Sequence, residues 1–199
     1  MSGPSRGDDA PRPTLHHVNL KTTRLGEMID WYGIVVGMDV YHRFPSGAWL
    51  SNDEANHRLA LLASPHFVDH PDKLAHTGIH HMAFEYPSLH DLLDTYVRLK
   101  AAGILPHAAL DHGITTSFYY VDPDGNSVEL QADNFSDWAQ SSAFVRTSPD
   151  FAANPIGRNI DPDQLVAARA VGASPDEIHR RAYAGEFEPA TPLDLRVVL

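Results

Sequence analysis

An α+β fold made of paired βαβββ modules, curled into one open β-cup with helices outside and followed by a C-terminal helical tail, is predicted by three observations. First, "LHHVNL" at 15–20 is echoed by "IHHMAF" at 79–84, and the same offset of 64 relates Leu25 to Leu89, Asp30 to Asp94 and Tyr32 to Tyr96. Second, "SNDEANHRLAL" at 51–61 matches "VDPDGNSVELQ" at 121–131 with an offset of 70. Third, helical and alternating hydrophobic periods follow one another in the same order in both copies.

In the first module, 14–63, residues 14–21 alternate as a strand. Residues 24–36 carry Leu25, Met28, Ile29 and Tyr32 at helical spacing before Gly37. Strands are expected near 38–44, 47–52 and 56–63. The second module, 78–133, has a strand at 79–86 and then a helix from Ser88 to Ala102, stopped by Gly103. Its further strands are expected near 104–109, 115–121 and 126–132. The run Asp122-Pro123-Asp124-Gly125-Asn126 is a strong turn signal between the last two. Residues 64–77 link the modules.

Residues 1–13 read as a disordered lead-in without the apolar core of a signal peptide. In the extension, 134–199, two helices are well signalled. Asp161 caps 161–172, and Ser174 with Pro175 and Glu177 opens 174–185. Residues 147–159 read as a draped loop. Phe135, Trp138, Phe144, Phe151 and Ile156 follow the last strand, and so many large apolar side chains are expected to pack on the core or on a neighbouring subunit of a homo-oligomer.

The formal charge of −11 argues against nucleic acid or an anionic membrane as partner. No apolar run approaches a membrane span. Cysteine is absent, which fits the cytoplasm and leaves imidazole and carboxylate as the donors for any transition metal; histidine, by contrast, occurs 13 times.

Strand alternation then selects candidates. If Val18 and Leu20 face the helix, His17 and Asn19 face the cup. If Met82 and Phe84 face the helix, His81, Ala83 and Glu85 face the cup. Val128 and Leu130 similarly leave Glu129 on the cup side, where it meets water or holds something positive. His17, His81 and Glu129 together make two imidazoles and a carboxylate from three strands. Such a facial triad leaves adjacent positions open on a divalent metal, typically Fe(II).

These motifs, "HHVNL", "IHHMAF" and "DPDGNSVEL", resemble the vicinal oxygen chelate superfamily over 14–133. Within it the chain is similar to the type I extradiol catechol dioxygenases, as a one-domain version of the 2,3-dihydroxybiphenyl dioxygenase kind. The resemblance implies metal ligation by His17, His81 and Glu129, with Fe(II) or Mn(II) as the ion. It implies acid-base work by His57 in "NHRLALLAS". Catalytic and substrate contacts by His112 in "DHG" and by Tyr119, which counting back from "DPDG" selects over Tyr120, are implied as well. A catechol and O2 are the implied reactants. Glyoxalases, epimerases, fosfomycin-modifying transferases and antibiotic-sequestering proteins share the scaffold, so the ligand set alone does not choose the reaction.

Overall fold

A computed structural model describes residues 11–135, 137–191 and 194–196; most of the expected lead-in therefore lies outside the described residues. The first module runs β1 (Val18–Thr22), α1 (Leu25–Val35), β2 (Asp39–Phe44), β3 (Gly47–Ser51) and β4 (Leu59–Ala63). The second runs β5 (His81–Tyr86), α2 (Leu89–Ala101), β6 (Ala108–Asp111), β7 (Thr115–Val121) and β8 (Ser127–Asp133). The first sheet has the order β1-β4-β3-β2, and the second repeats it as β5-β8-β7-β6 before adding β9 (Arg158–Asn159). In each module the first and last strands pair in parallel, which the intervening helix makes possible as a crossover.

The periodicities explain the layers. Met28, Ile29, Tyr32 and Val35 of α1 are buried, as are Leu89, Leu92, Leu93, Tyr96 and Leu99 of α2. They share one core with Leu50, Leu59, Leu61, Phe118, Tyr120, Val128 and Leu130, and Val18, Leu20, Met82 and Phe84 pack against it. Ser88 caps α2 by accepting from the Asp91 amide. Both helices end at glycines with positive φ, Gly37 at 74° and Gly103 at 78°, a conformation that costs glycine little.

Several boundaries differ from the sequence reading. β1 starts at Val18 rather than Thr14, so His17 sits in the irregular segment before the strand; β4 starts at Leu59, leaving His57 in the preceding turn. β6 begins at Ala108, after Pro106, and pairs with β7 from there onward. The loop expected at 147–159 is structured. It contains the end of α3 (Trp138–Thr147), then α4 (Pro149–Ala153) and β9. Asp137 caps α3 and Ser148 caps α4, while β9 exists because Leu110 and Asp111 offer it a free sheet edge. The last two helices, α5 (Pro162–Ala170) and α6 (Pro175–Tyr183), have the expected caps, with Asp161 and Ser174 accepting from the amides of Asp163 and Glu177. Ile160, Leu165, Ile178, Ala182 and Phe187 join the common core, whereas Trp138 is 70% and Ile156 60% exposed. Among the described residues no helix is long and apolar enough to cross a membrane.

The modules are tied together at the β7–β8 turn. Tyr32 of α1 donates to Asp122 Oδ2 at 3.1 Å, and Arg24 reaches Asp124 at 2.7 Å. Asp122 is buried and also accepts from the amides of Asp124 and Asn126 and from Asn126 Nδ2. Burial raises its pKa, against the opposing pull of these hydrogen bonds. Removing this side chain would leave a buried phenol and several amides without their acceptor. Asp122→Ala is expected to cost about 2 kcal/mol or more of stability. Urea unfolding checks this, and a loss below about 0.5 kcal/mol would show that the turn holds without it.

Candidate metal centre

β8 is the inner strand that makes the site. Val128 and Leu130 are fully buried in the core, and Glu129 between them points to the opposite face, where it is still only 5% exposed. β8 lies between β5 and β7, so two strands can serve its carboxylate. In the register Ala83 and Tyr119 lie beside Glu129. His81, at the start of β5, brings Nε2 to 3.1 Å from Glu129 Oε2, and Tyr119 donates to Oε1 at 3.0 Å. The Tyr119 oxygen is in turn 2.8 Å from His112 Nε2. The structure thus joins His81, Glu129, Tyr119 and His112 in one continuous chain.

The choice between the two tyrosines follows from this register. Tyr119 is the partner of Glu129, while Tyr120 is the partner of Val128 and lies in the core. Among the described residues the buried Tyr120 hydroxyl has no hydrogen-bond partner.

His17 and His57 belong to a second cluster. The His57 ring stacks on Trp49 at 5.2 Å with an interplanar angle of 19°, and its centroid is 4.4 Å from that of His17. His57 Nδ1 lies 2.7 Å from Asn56 Oδ1, an acceptor, which places the proton on Nδ1; among the described residues Nε2 has no hydrogen-bond partner. His16 and His17 approach through their Nδ1 atoms at 3.1 Å. Among the described residues, His16, His17 and His57 are the one set of three whose donor atoms all lie within 4.8 Å of one another. His17, His81 and Glu129 do not close into such a set. The reason is positional: the His17 ring precedes β1 and is placed by contacts with His16 and His57 rather than by strand register. His17 and His81 nevertheless line the same cleft of about 640 Å³ between the modules, with Leu15, Val18, Ile79 and Met82 as apolar walls.

Electrostatics separates the two clusters. Burial works to raise the pKa of Glu129, but hydrogen bonds from His81, Ser117 and Tyr119 and the proximity of His81 outweigh it and hold the carboxyl below its ordinary range. Burial raises the Tyr119 phenol, and the Glu129 charge raises it further, so it stays protonated. Burial and the neighbouring imidazoles of His17 and His16 lower the pKa of His57. An ionised carboxylate against an imidazole, with a further imidazole on the same cleft, suits a divalent transition metal as a donor set. Trp49 and Ser117 carry no motif signal, because their relevance comes from ring stacking and cross-strand contact; alternation sets His16 on the face opposite His17, whereas its ring meets those of His17 and His57.

The architecture defines a paired-module protein with imidazole donors lining the cleft between two βαβββ units and a carboxylate against one of them. The chain belongs to the Glyoxalase/Bleomycin resistance protein/Dioxygenase superfamily, whose family model matches residues 14–130. It is 40% identical over 180 residues to biphenyl-2,3-diol 1,2-dioxygenase 2 of Rhodococcus globerulus, covering 90% of this chain and 94% of that protein. Biphenyl-2,3-diol 1,2-dioxygenase 3 of the same organism is 38% identical, with 88% and 92% covered. The crystal structure of a glyoxylase/bleomycin resistance protein/dioxygenase domain from Frankia sp. EAN1pec shares the fold at 16% identity and a TM-score of 0.53, covering 64% of this chain and 96% of that one.

The register makes the two tyrosines separable by experiment. Tyr120→Phe removes an unpartnered buried hydroxyl and is expected to leave stability unchanged or slightly higher. Tyr119→Phe breaks the link between Glu129 and His112 and is expected to cost about 1 kcal/mol. Thermal unfolding of the two variants side by side checks the order, and the reverse order would contradict the register.

Proposed function

We propose that the protein is an Fe(II)-dependent extradiol dioxygenase, which opens the ring of a catechol beside its diol and places both atoms of O2 in the product. The observation that carries this reading is the unbroken chain that runs from His81, which lines the cleft, through Glu129 and Tyr119 to His112. The two dioxygenase relatives, matched over nearly their whole length, support it, and the biphenyl-2,3-diol in their names points to an aryl-substituted catechol.

In this reading His17, His81 and Glu129 would hold the ion, with Mn(II) able to use the same donors. Fe(II), when bound, supplies Lewis acidity toward the diol and a path for electrons between the diol and O2. The free Nε2 of His57 takes a proton from a diol hydroxyl and returns it as the ring opens, with Trp49 and Asn56 fixing the ring that does so. His112 and Tyr119 offer hydrogen bonds to the substrate oxygen as charge develops on it. Leu15 and Ile79, exposed on the cleft, give the hydrocarbon ring an apolar wall. The exposed Trp138 and Ile156 of the tail support assembly as a homo-oligomer, and the lack of cysteine supports a cytoplasmic setting.

The test is anaerobic loading with Fe(II), followed by 2,3-dihydroxybiphenyl and unsubstituted catechol under measured O2. A yellow ring-opened product with one O2 consumed per diol is expected; an iron-loaded protein that consumes no O2 with either diol overturns the proposal. Glu129→Gln is expected to lose most of the bound metal while keeping the far-ultraviolet circular dichroism of the parent. His57→Phe is expected to retain metal and diol binding and to lose turnover by about a hundredfold or more. Full metal occupancy in the first variant, or parent-like turnover in the second, would remove that residue from its assigned role.

A further inference from the structure

Three contacts from the C-terminal extension converge on the short segment that carries His112. The ring's Nδ1 lies 2.6 Å from the carbonyl oxygen of Ile156. A carbonyl only accepts, so this contact places a proton on Nδ1; with the Tyr119 hydroxyl proton directed to Glu129, Nε2 meets the Tyr119 oxygen as a donor when the ring carries both protons. Immediately after Ile156, Gly157 adopts φ +86°, and a Cβ there would fall 2.0 Å from Asp111 O and 2.7 Å from His112 Cα. The two backbones touch where only glycine fits. β9 then continues beside β6, pairing Asn159 with Leu110 and Arg158 with Asp111.

The third contact is a hydrogen-bonded pair of a buried aspartate and a half-buried histidine. Asp111 is completely buried and accepts from the Gly113 amide at 2.8 Å. Its other oxygen lies 2.7 Å from Nδ1 of His179 on α6. Ser174 caps that helix, and Ile178 and Ala182 bury it in the core. A buried carboxylate that loses its donor draws in water or shifts toward it. Here the residues that would shift, 111–113, are those that flank His112.

We propose that the extension is a working part of the active centre, in which His179, through Asp111, and the Ile156–Gly157 backbone fix the ring of His112. His179 is then a positioning residue for ring cleavage. The inference rests on the reading of His112 as a group that meets the substrate.

The experiment is a double-variant cycle in the Fe(II)-loaded full chain with 2,3-dihydroxybiphenyl. His179→Ala is expected to lower kcat about tenfold, the order a small misplacement of a catalytic group costs, with KM and metal content close to the parent. His179→Asn, which keeps an N–H donor for Asp111, is expected to recover most of that loss. In a His112→Phe background, the added His179→Ala is expected to change kcat less than about twofold, because its effect passes through a ring already removed. Parent-like kcat in His179→Ala, or losses that multiply in the double variant, would overturn the inference while leaving the role of His112 standing. Parent-like turnover in His112→Phe would instead remove the role of His112, and the inference with it. A separate measurement does not depend on how the variants fold. Long-range ¹⁵N–¹H correlation spectra of the full chain without added metal are expected to show a proton on Nδ1 of His112, and an unprotonated Nδ1 rejects the proposal.

Discussion

A charge kept almost out of water organises this molecule. Glu129 is 5% exposed, and an isolated carboxylate at that depth would take up a proton rather than stay ionised. It stays ionised because donors from two neighbouring strands reach it, which is possible only on an inner strand. The order β5-β8-β7 provides this, with a parallel neighbour on one side and an antiparallel one on the other. The βαβββ topology is therefore more than a container for the site. The crossover helix that makes β5 and β8 parallel also sets the imidazole of His81 against the carboxylate, and the β7–β8 turn sets the phenol of Tyr119 on its other oxygen.

Much of this was legible from alternation and repetition. Offsets of 64 and 70 locate both modules, and the flanking Val128 and Leu130 place Glu129 on the face away from the helices without any knowledge of pairing. The distance to the "DPDG" turn selects Tyr119 over Tyr120, but the physical ground of that choice is not in the motif. It depends on how the strands register across the Asp122–Asn126 turn, and the Val121–Ser127 pairing that fixes this is set by the buried Asp122 network, including a phenol 90 residues away. His17 lines the cleft as alternation expects, but what orients its ring is not strand register. Alternation assigns faces inside a strand, but the strand begins one residue later, and beyond a strand end side chains follow local contacts.

The extension was the least legible part. α3 buries only Ser141, so it lacks the apolar stripe that marks a helix, and only Asp137 at its cap announced it. β9 is two residues long and has no propensity signal of its own; it is a strand because β6 exposes an edge. The pairing of Asp111 with His179 joins residues 68 apart that share no motif. The family match ends at residue 130, yet the 40% identity to a dioxygenase spans 90% of the chain and so takes in most of this extension.

The two halves of the candidate centre are held in different ways, and the difference bears on how such a cleft can work. His81, Tyr119 and Glu129 lie on strands, where register fixes each Cβ and neighbouring backbone hydrogen bonds resist displacement. His17 and His57 lie in segments that precede strands, and ring contacts hold them: Trp49 beneath His57, and His16 beside His17. Ring stacking permits sliding and rotation at little cost, whereas a ladder of hydrogen bonds does not. A centre that must admit a diol and release a longer, opened product needs one wall that keeps its geometry and one that can yield. The strand-borne carboxylate and its partners form the fixed wall. The loop-borne imidazoles form the other, and the group proposed for proton transfer stands on the side held by ring contacts.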